Sequence, residues 1–264
     1  HARREWFGTA CCPANIARLV ASLGNYIYAK SDNAIYLNLF VGSNTVIPLK
    51  SGKVNIKTET NYPWDGHVKV SVDPEKKSNF KLYIRIPGWY NGIMVPGNLY
   101  KLDGVNESVL SFTVNGKLVL FKNENGYAVI ERGWKKGDVV EFNFPMTVKK
   151  LEARPDLKQD NGRIAIQRGP VVYCVEGADN NGKAWNIIIP EDTKFETVNY
   201  TVLNEPVKAI TADVPVTMVS EDGTSLKTER RKITAIPYYT WDNRGKNEMQ
   251  VWLPTKITDV KINY

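Results

Sequence analysis

The hydrophobic period changes once along the chain, and that change limits what the chain can fold into. Between Pro13 and Tyr28 the apolar residues Ile16, Leu19, Val20, Leu23 and Ile27 recur at three- and four-residue spacing, the single stripe of an amphipathic helix. Pro13 suits the first helical position, where the N–H it lacks has no intrahelical partner anyway, and this makes Cys12 the expected N-cap. From Ala34 onward the period is two.

Short runs rich in Val, Ile, Phe and Tyr then follow as strands over Ala34 to Val41, Lys53 to Thr60, His67 to Val72, Phe80 to Ile86, Val109 to Val114, Lys117 to Phe121, Tyr127 to Glu131 and Val139 to Phe144. Asn115-Gly116 between two of them is a two-residue hairpin signal, because both residues tolerate positive φ, and Lys136-Gly137-Asp138 marks another turn. A second, longer-looped series covers Arg163 to Gln167, Val171 to Val175, Trp185 to Ile189, Val214 to Val219, Arg231 to Ile236, Gln250 to Leu253 and Val260 to Ile262. The two prolines and mixed charges after Phe144 put a module boundary near residue 146. The expected architecture is all-β: two antiparallel β-sandwich modules, 30–146 and 147–264, preceded by one α-helix in 1–29. The helix stripe needs cover, either from the first sandwich or from a helical domain to which this helix belongs.

Composition narrows the function classes. Hydrophobic residues make up 42% and charged residues 24% of 264, which excludes wholesale disorder. The net charge of +7 is spread along the chain with acidic residues interleaved, which reads as a solvated surface and against nucleic-acid binding. No run reaches the length of a membrane helix, and the first residues lack the apolar core of a signal peptide, so no membrane partner is expected.

Three cysteines are too few for a disulfide framework, but Cys11 and Cys12 are adjacent. At a helix N-terminus, backbone amides and the macrodipole favour thiolates, which serve as nucleophiles or metal ligands. Zinc needs about four ligands, and this pair supplies at most half, with His1 and Glu5 as the nearby candidates. From spacing alone, a buried inert pair is the simpler reading. Cys174 reads as a small core residue, and His67 as a turn-associated surface histidine. Glu5, Asp65, Glu131 and Asp242 are possible members of a glycosidase carboxylate pair, with nothing selecting two of them. The seven tryptophans and thirteen tyrosines could stack on sugars, though core packing is their commoner use.

The stretch Glu5-Trp6-Phe7-Gly8-Thr9-Ala10-Cys11-Cys12-Pro13-Ala14-Asn15 resembles the Cys-Cys-Pro-x-Asn signature of the β-L-arabinofuranosidases of glycoside hydrolase family 127. Gly126-Tyr127 through Asp138 with Pro145-Met146, Gln167-Arg168-Gly169-Pro170 through Cys174, and Trp241-Asp242-Asn243-Arg244-Gly245 through Pro254 resemble the same family. The resemblance implies that 1–29 ends in the last helix of an (α/α)6 catalytic barrel whose remainder, an N-terminal helical domain, is missing from this chain. It implies Cys11 as catalytic nucleophile, Cys11 and Cys12 as metal ligands, and Zn2+ in the full-length parent but absent from this chain. The parent would then be a retaining glycoside hydrolase acting on arabinose-containing carbohydrate, with the chain alone inactive. A periplasmic or extracellular place is favoured over the cytosol. The competing reading is a non-catalytic β-sandwich protein with a structural or weak carbohydrate-binding role.

Overall fold

The computed structural model describes residues 8–104, 109–220 and 222–260. As the change of period requires, one helical segment precedes sheets whose pairings are antiparallel with one exception. The helix runs over Cys11–Ser22, two residues earlier than the proline suggested, with Ala10 rather than Cys12 in the N-cap position and no side-chain cap. Pro13 is therefore the third helical residue, still among the first four whose N–H groups have no intrahelical acceptor, so it costs no hydrogen bond. The expected single helix to Tyr28 breaks at Leu23, where the Leu23 N–H reaches Val20 O at 3.3 Å. A four-residue helix, Gly24–Ile27, follows, and Tyr28 is already extended at φ −126°.

The chain divides into two bodies. In the first, formed by 8–91 with 109–146, two sheets enclose one core. One sheet orders its strands Tyr28–Ser31, Ala34–Leu37, Ser78–Arg85, Tyr127–Trp134 and Lys122–Glu124; the other orders Ser43–Leu49, Gly52–Thr60, His67–Pro74, Asp138–Asn143, Phe112–Val114 and Lys117–Val119. Alternation decides the inward face: Val54 and Ile56, Val68, Val70 and Val72, and Phe80, Leu82 and Ile84 are all sealed. Ala34–Leu37 pairs parallel to Ser78–Arg85, and the pairings among the other described strands are antiparallel. A parallel neighbour needs a crossover, and residues 38–77 supply it by building three strands of the opposite sheet.

Specific contacts lock this core. Trp134 is fully buried, stacks on Phe80 with centroids 5.6 Å apart, and donates its indole N–H to Phe80 O at 2.9 Å. The Asn115-Gly116 hairpin forms as expected, both residues at positive φ. Beneath it, the buried Asp138 carboxylate accepts from the Asn115 amide at 2.9 Å and the Lys135 N–H at 3.0 Å. Burial pushes the Asp138 carboxyl up, but those two donors and the Arg132 and Lys135 charges outweigh it and hold the group below the ordinary carboxylate range. Gly66 has no alternative, since a Cβ there would lie 1.8 Å from Phe144 O.

The second body comprises 92–104 with 147–260. Its nine-stranded sheet runs Glu196–Val202, Glu205–Val219, Leu226–Pro237, Val171–Glu176, Arg163–Arg168, Val148–Ala153 and Tyr100–Leu102, with Met249–Gln250 and Leu253–Pro254 pairing at its centre. Ile164, Ile166, Tyr173, Ile210, Val214, Ile233 and Leu253 form its core together with Ile187 and Ile189 from a connecting segment.

Several strand expectations are corrected by long-range pairing. Residues 92–104, read as part of the 30–146 module, send Tyr100–Leu102 to the edge of the second body's sheet against Leu151–Ala153. The boundary segment after Phe144 contains a strand, Val148–Ala153. Ser43–Leu49 and Glu196–Val202 are strands that strong alternation did not announce, and Trp185–Ile189 keeps a single bridge, Ile187 to Val216, instead of a strand. Of Val260 to Ile262, only Val260 lies within the described residues, and it is not in a strand.

Candidate functional site

The first described turn of the molecule gathers the resemblance-derived site. Cys11 and Cys12 are the first two residues of the Cys11–Ser22 helix, and both are exposed, against the burial that spacing favoured. Their sulfurs lie 3.8 Å apart. Two zinc–sulfur bonds of about 2.3 Å at a tetrahedral angle span about 3.8 Å, so the pair fits two corners of a zinc tetrahedron as it stands. Among the described residues no group of three or more His, Cys, Asp or Glu side chains converges to hold a metal. His1 and Glu5 lie outside the described residues.

The geometry also explains a residue that spacing had not singled out. Asn15 stands four positions after Cys11, one helical turn on, and its side-chain amide donates to Cys11 O at 3.0 Å. Arg18 then donates to Asn15 Oδ1 at 3.2 Å. The Cys-Cys-Pro-x-Asn spacing thus fastens the first turn of the helix, holding the backbone of the two thiols in place without covering them. Along the same helix Ile16, Leu19 and Val20 are 62%, 53% and 65% exposed. The first sandwich does not cover the stripe; only Ile27, in the next helix, enters its core.

Two family models match the chain: the β-L-arabinofuranosidase middle domain of glycoside hydrolase family 127 over 34–146, and the family 127 C-terminal domain over 148–254. The chain belongs to glycoside hydrolase family 127. A curated relative, the non-reducing end β-L-arabinofuranosidase of Bifidobacterium longum subsp. longum, is 32% identical over 95% of this chain and 38% of its own length. Among solved structures, a family 127 β-arabinofuranosidase is 35% identical, with a TM-score of 0.93 over 99% of this chain and 41% of its own. A family 127 β-L-arabinofuranosidase from Geobacillus stearothermophilus T6 is 38% identical, with a TM-score of 0.82 over 96% of this chain and 38% of its own. The chain therefore spans about two fifths of the length of these relatives.

The other candidates take structural places. Asp65 accepts the His67 N–H at 3.1 Å, closing a turn, and exposed His67 sits 3.4 Å from Glu141. Glu131 is an exposed partner of Lys81. Cys174 is buried in the second body, and burial first, then the Glu176 and Asp179 charges, push its thiol up to about 12, so it remains a thiol. The family-like segment Trp241-Asp242-Asn243-Arg244-Gly245 anchors a buried ion network: Arg244 binds Glu176 and Asp179, and Tyr200 donates to Asp179 at 2.7 Å. Asp242 gives its N–H to Glu176 at 3.1 Å. No described helix is long and apolar enough to cross a membrane.

Proposed function

We propose that this chain is part of a retaining glycoside hydrolase of the β-L-arabinofuranosidase type, in which Cys11 is the nucleophile and Cys11 with Cys12 are two of the ligands of a zinc ion. The observation that carries this reading is the exposed thiol pair on an uncovered amphipathic helix, at the spacing two tetrahedral zinc–sulfur bonds require. A helical domain of the parent enzyme, lying over the Ile16, Leu19, Val20 stripe, would supply the remaining ligands and the acid/base carboxyl. When bound, zinc would keep the sulfur available as thiolate at neutral pH.

The Cys11 sulfur attacks the anomeric carbon, forming a carbon–sulfur bond as the glycosidic carbon–oxygen bond breaks, and the leaving oxygen takes a proton from the carboxylic acid. Water then attacks the same carbon, gives its proton to the carboxylate, and the carbon–sulfur bond breaks to restore the thiolate. Two inversions give net retention, as in the two-carboxylate scheme with sulfur as nucleophile. Asn15 and Arg18 act as positioning residues for the turn that carries the sulfur.

The test is a paired assay on an aryl β-L-arabinofuranoside. The full-length enzyme is expected to cleave it, Cys11→Ser to lose at least about a thousandfold in kcat/KM, and the 264-residue chain alone to show no turnover. A fully active Cys11→Ser enzyme, or comparable turnover by the chain alone, overturns the assignment.

A further inference from the structure

The second body contains a cleft of about 580 Å3 whose walls include Trp185, Tyr238 and Trp252, with Gln159, Asp160 and Arg163 beside them. Most large aromatics of the chain serve as packing: Trp134 and Tyr173 are sealed, and the phenylalanines of the first body interlock around Phe40, Phe142 and Phe144. Trp185 and Trp252 also pack against the second body's cores, but each keeps part of its surface open at the cleft. Trp185 and Trp252 are half-buried, and Tyr238 is 43% exposed.

The rings are also held before any ligand arrives, that of Tyr238 by stacking on Trp241 with centroids 6.1 Å apart. The Trp185 indole N–H donates to Met249 O at 3.0 Å. Trp252 rests on Tyr100, with centroids 5.8 Å apart and planes 30° from parallel, and its carbonyl accepts from the Gln250 amide at 2.7 Å and from Arg163 at 3.1 Å. Fixed aromatic walls lose little conformational entropy on binding. The side chains of Gln159 and Asp160 enter no hydrogen bond or ion pair among the described residues, so both remain available at the cleft.

A ligand for such a cleft must offer an apolar face to the rings and hydroxyls to the amide and carboxylate, within a volume suited to a small molecule. A sugar ring does both, with C–H bonds on its faces and hydroxyls around its rim. The opposite charges of Asp160 and Arg163 favour a neutral ligand over an anion or a cation. We propose that this cleft is a carbohydrate-binding subsite for one neutral sugar unit of a glycan, using none of the residues assigned to bond cleavage. The choice of an arabinose-containing glycan rests on the functional reading above.

The experiment titrates the 264-residue chain with methyl β-L-arabinofuranoside and with a soluble arabinose-containing polysaccharide, reading tryptophan fluorescence and saturation-transfer NMR. Saturable binding is expected. Trp252→Ala should weaken it about tenfold and Tyr238→Ala about threefold, with Trp252→Phe recovering most of the loss. Because Tyr238 is exposed, its variant is expected to keep the wild-type melting temperature, which separates lost contact from lost fold. No saturable binding by the wild-type chain up to about 20 mM, or folded variants that bind like wild type, overturns the proposal. A full-length enzyme inactive on β-L-arabinofuranosides while the chain still binds in a Trp252-dependent way would sink the activity reading and leave the subsite standing.

Discussion

On the helix Cys11–Ser22 the apolar stripe stands open, whereas on the strand Gly52–Thr60 the apolar residues Val54 and Ile56 are completely sealed, although both segments carry equally regular patterns and lie in the same body. The strand is covered because the opposite sheet contributes Ile35, Leu37, Leu82 and Ile84 to the same core. The helix meets no such face. A pattern declares which side of an element is meant to be buried; whether it is buried depends on a partner surface. The uncovered stripe, next to two uncovered thiols, is the face on which the proposed helical domain would rest.

The comparison can be broken by substitutions matched across the two regions. The largest effect on folding is expected for Trp134→Ala, which removes a fully buried ring, its stack on Phe80 and an indole hydrogen bond; about 3–5 kcal/mol should be lost in a urea unfolding curve. Leu82→Ala on the sealed face should cost about 2–5 kcal/mol by the same measurement. A loss below about 1 kcal/mol at either site would mean that the sandwich core is not closed.

A smaller effect concerns pH. The Asp138 carboxyl is held below its ordinary value, so in ionised form it stabilises the fold above the unfolded-state value of about 3.9, and that contribution is lost as pH falls through the folded value. Asp138→Asn should therefore cost about 1–3 kcal/mol at pH 7 and flatten the acid limb of the stability curve. An unchanged acid limb in chemical denaturation series from pH 6 to pH 2 would contradict this.

The smallest effect belongs to the stripe. Leu19→Gln should shift the stability of this chain by no more than about 0.5 kcal/mol, since the side chain is already half in water. In the full-length enzyme the same substitution should cost about 2 kcal/mol or more, because there the stripe is proposed to be covered. Equal and small effects in both would remove the argument for a covering domain.

Much of the candidate site was legible at the level of residues. The adjacent cysteines before a helical stripe, the Asn115-Gly116 hairpin and the core role of Cys174 could all be read from local chemistry. The N-cap was misread because Pro13 is tolerated anywhere in the first turn, so it does not by itself specify where the helix starts. The exposure of the thiols was misread from spacing, since nothing in a two-residue repeat says what lies opposite it.

The sequence by itself determined the switch from a helical to a strand period, the turns and the identity of the thiols, because φ/ψ preference and side-chain alternation act over a few residues. Tertiary structure alone decided that Tyr100–Leu102 leaves its sequence neighbours for a strand about fifty residues away, that Ala34–Leu37 finds a parallel partner, and that Trp185–Ile189 stays out of the ladder. Those outcomes depend on which edges and faces remain free once the other strands have paired. That competition is global, and no local pattern records it.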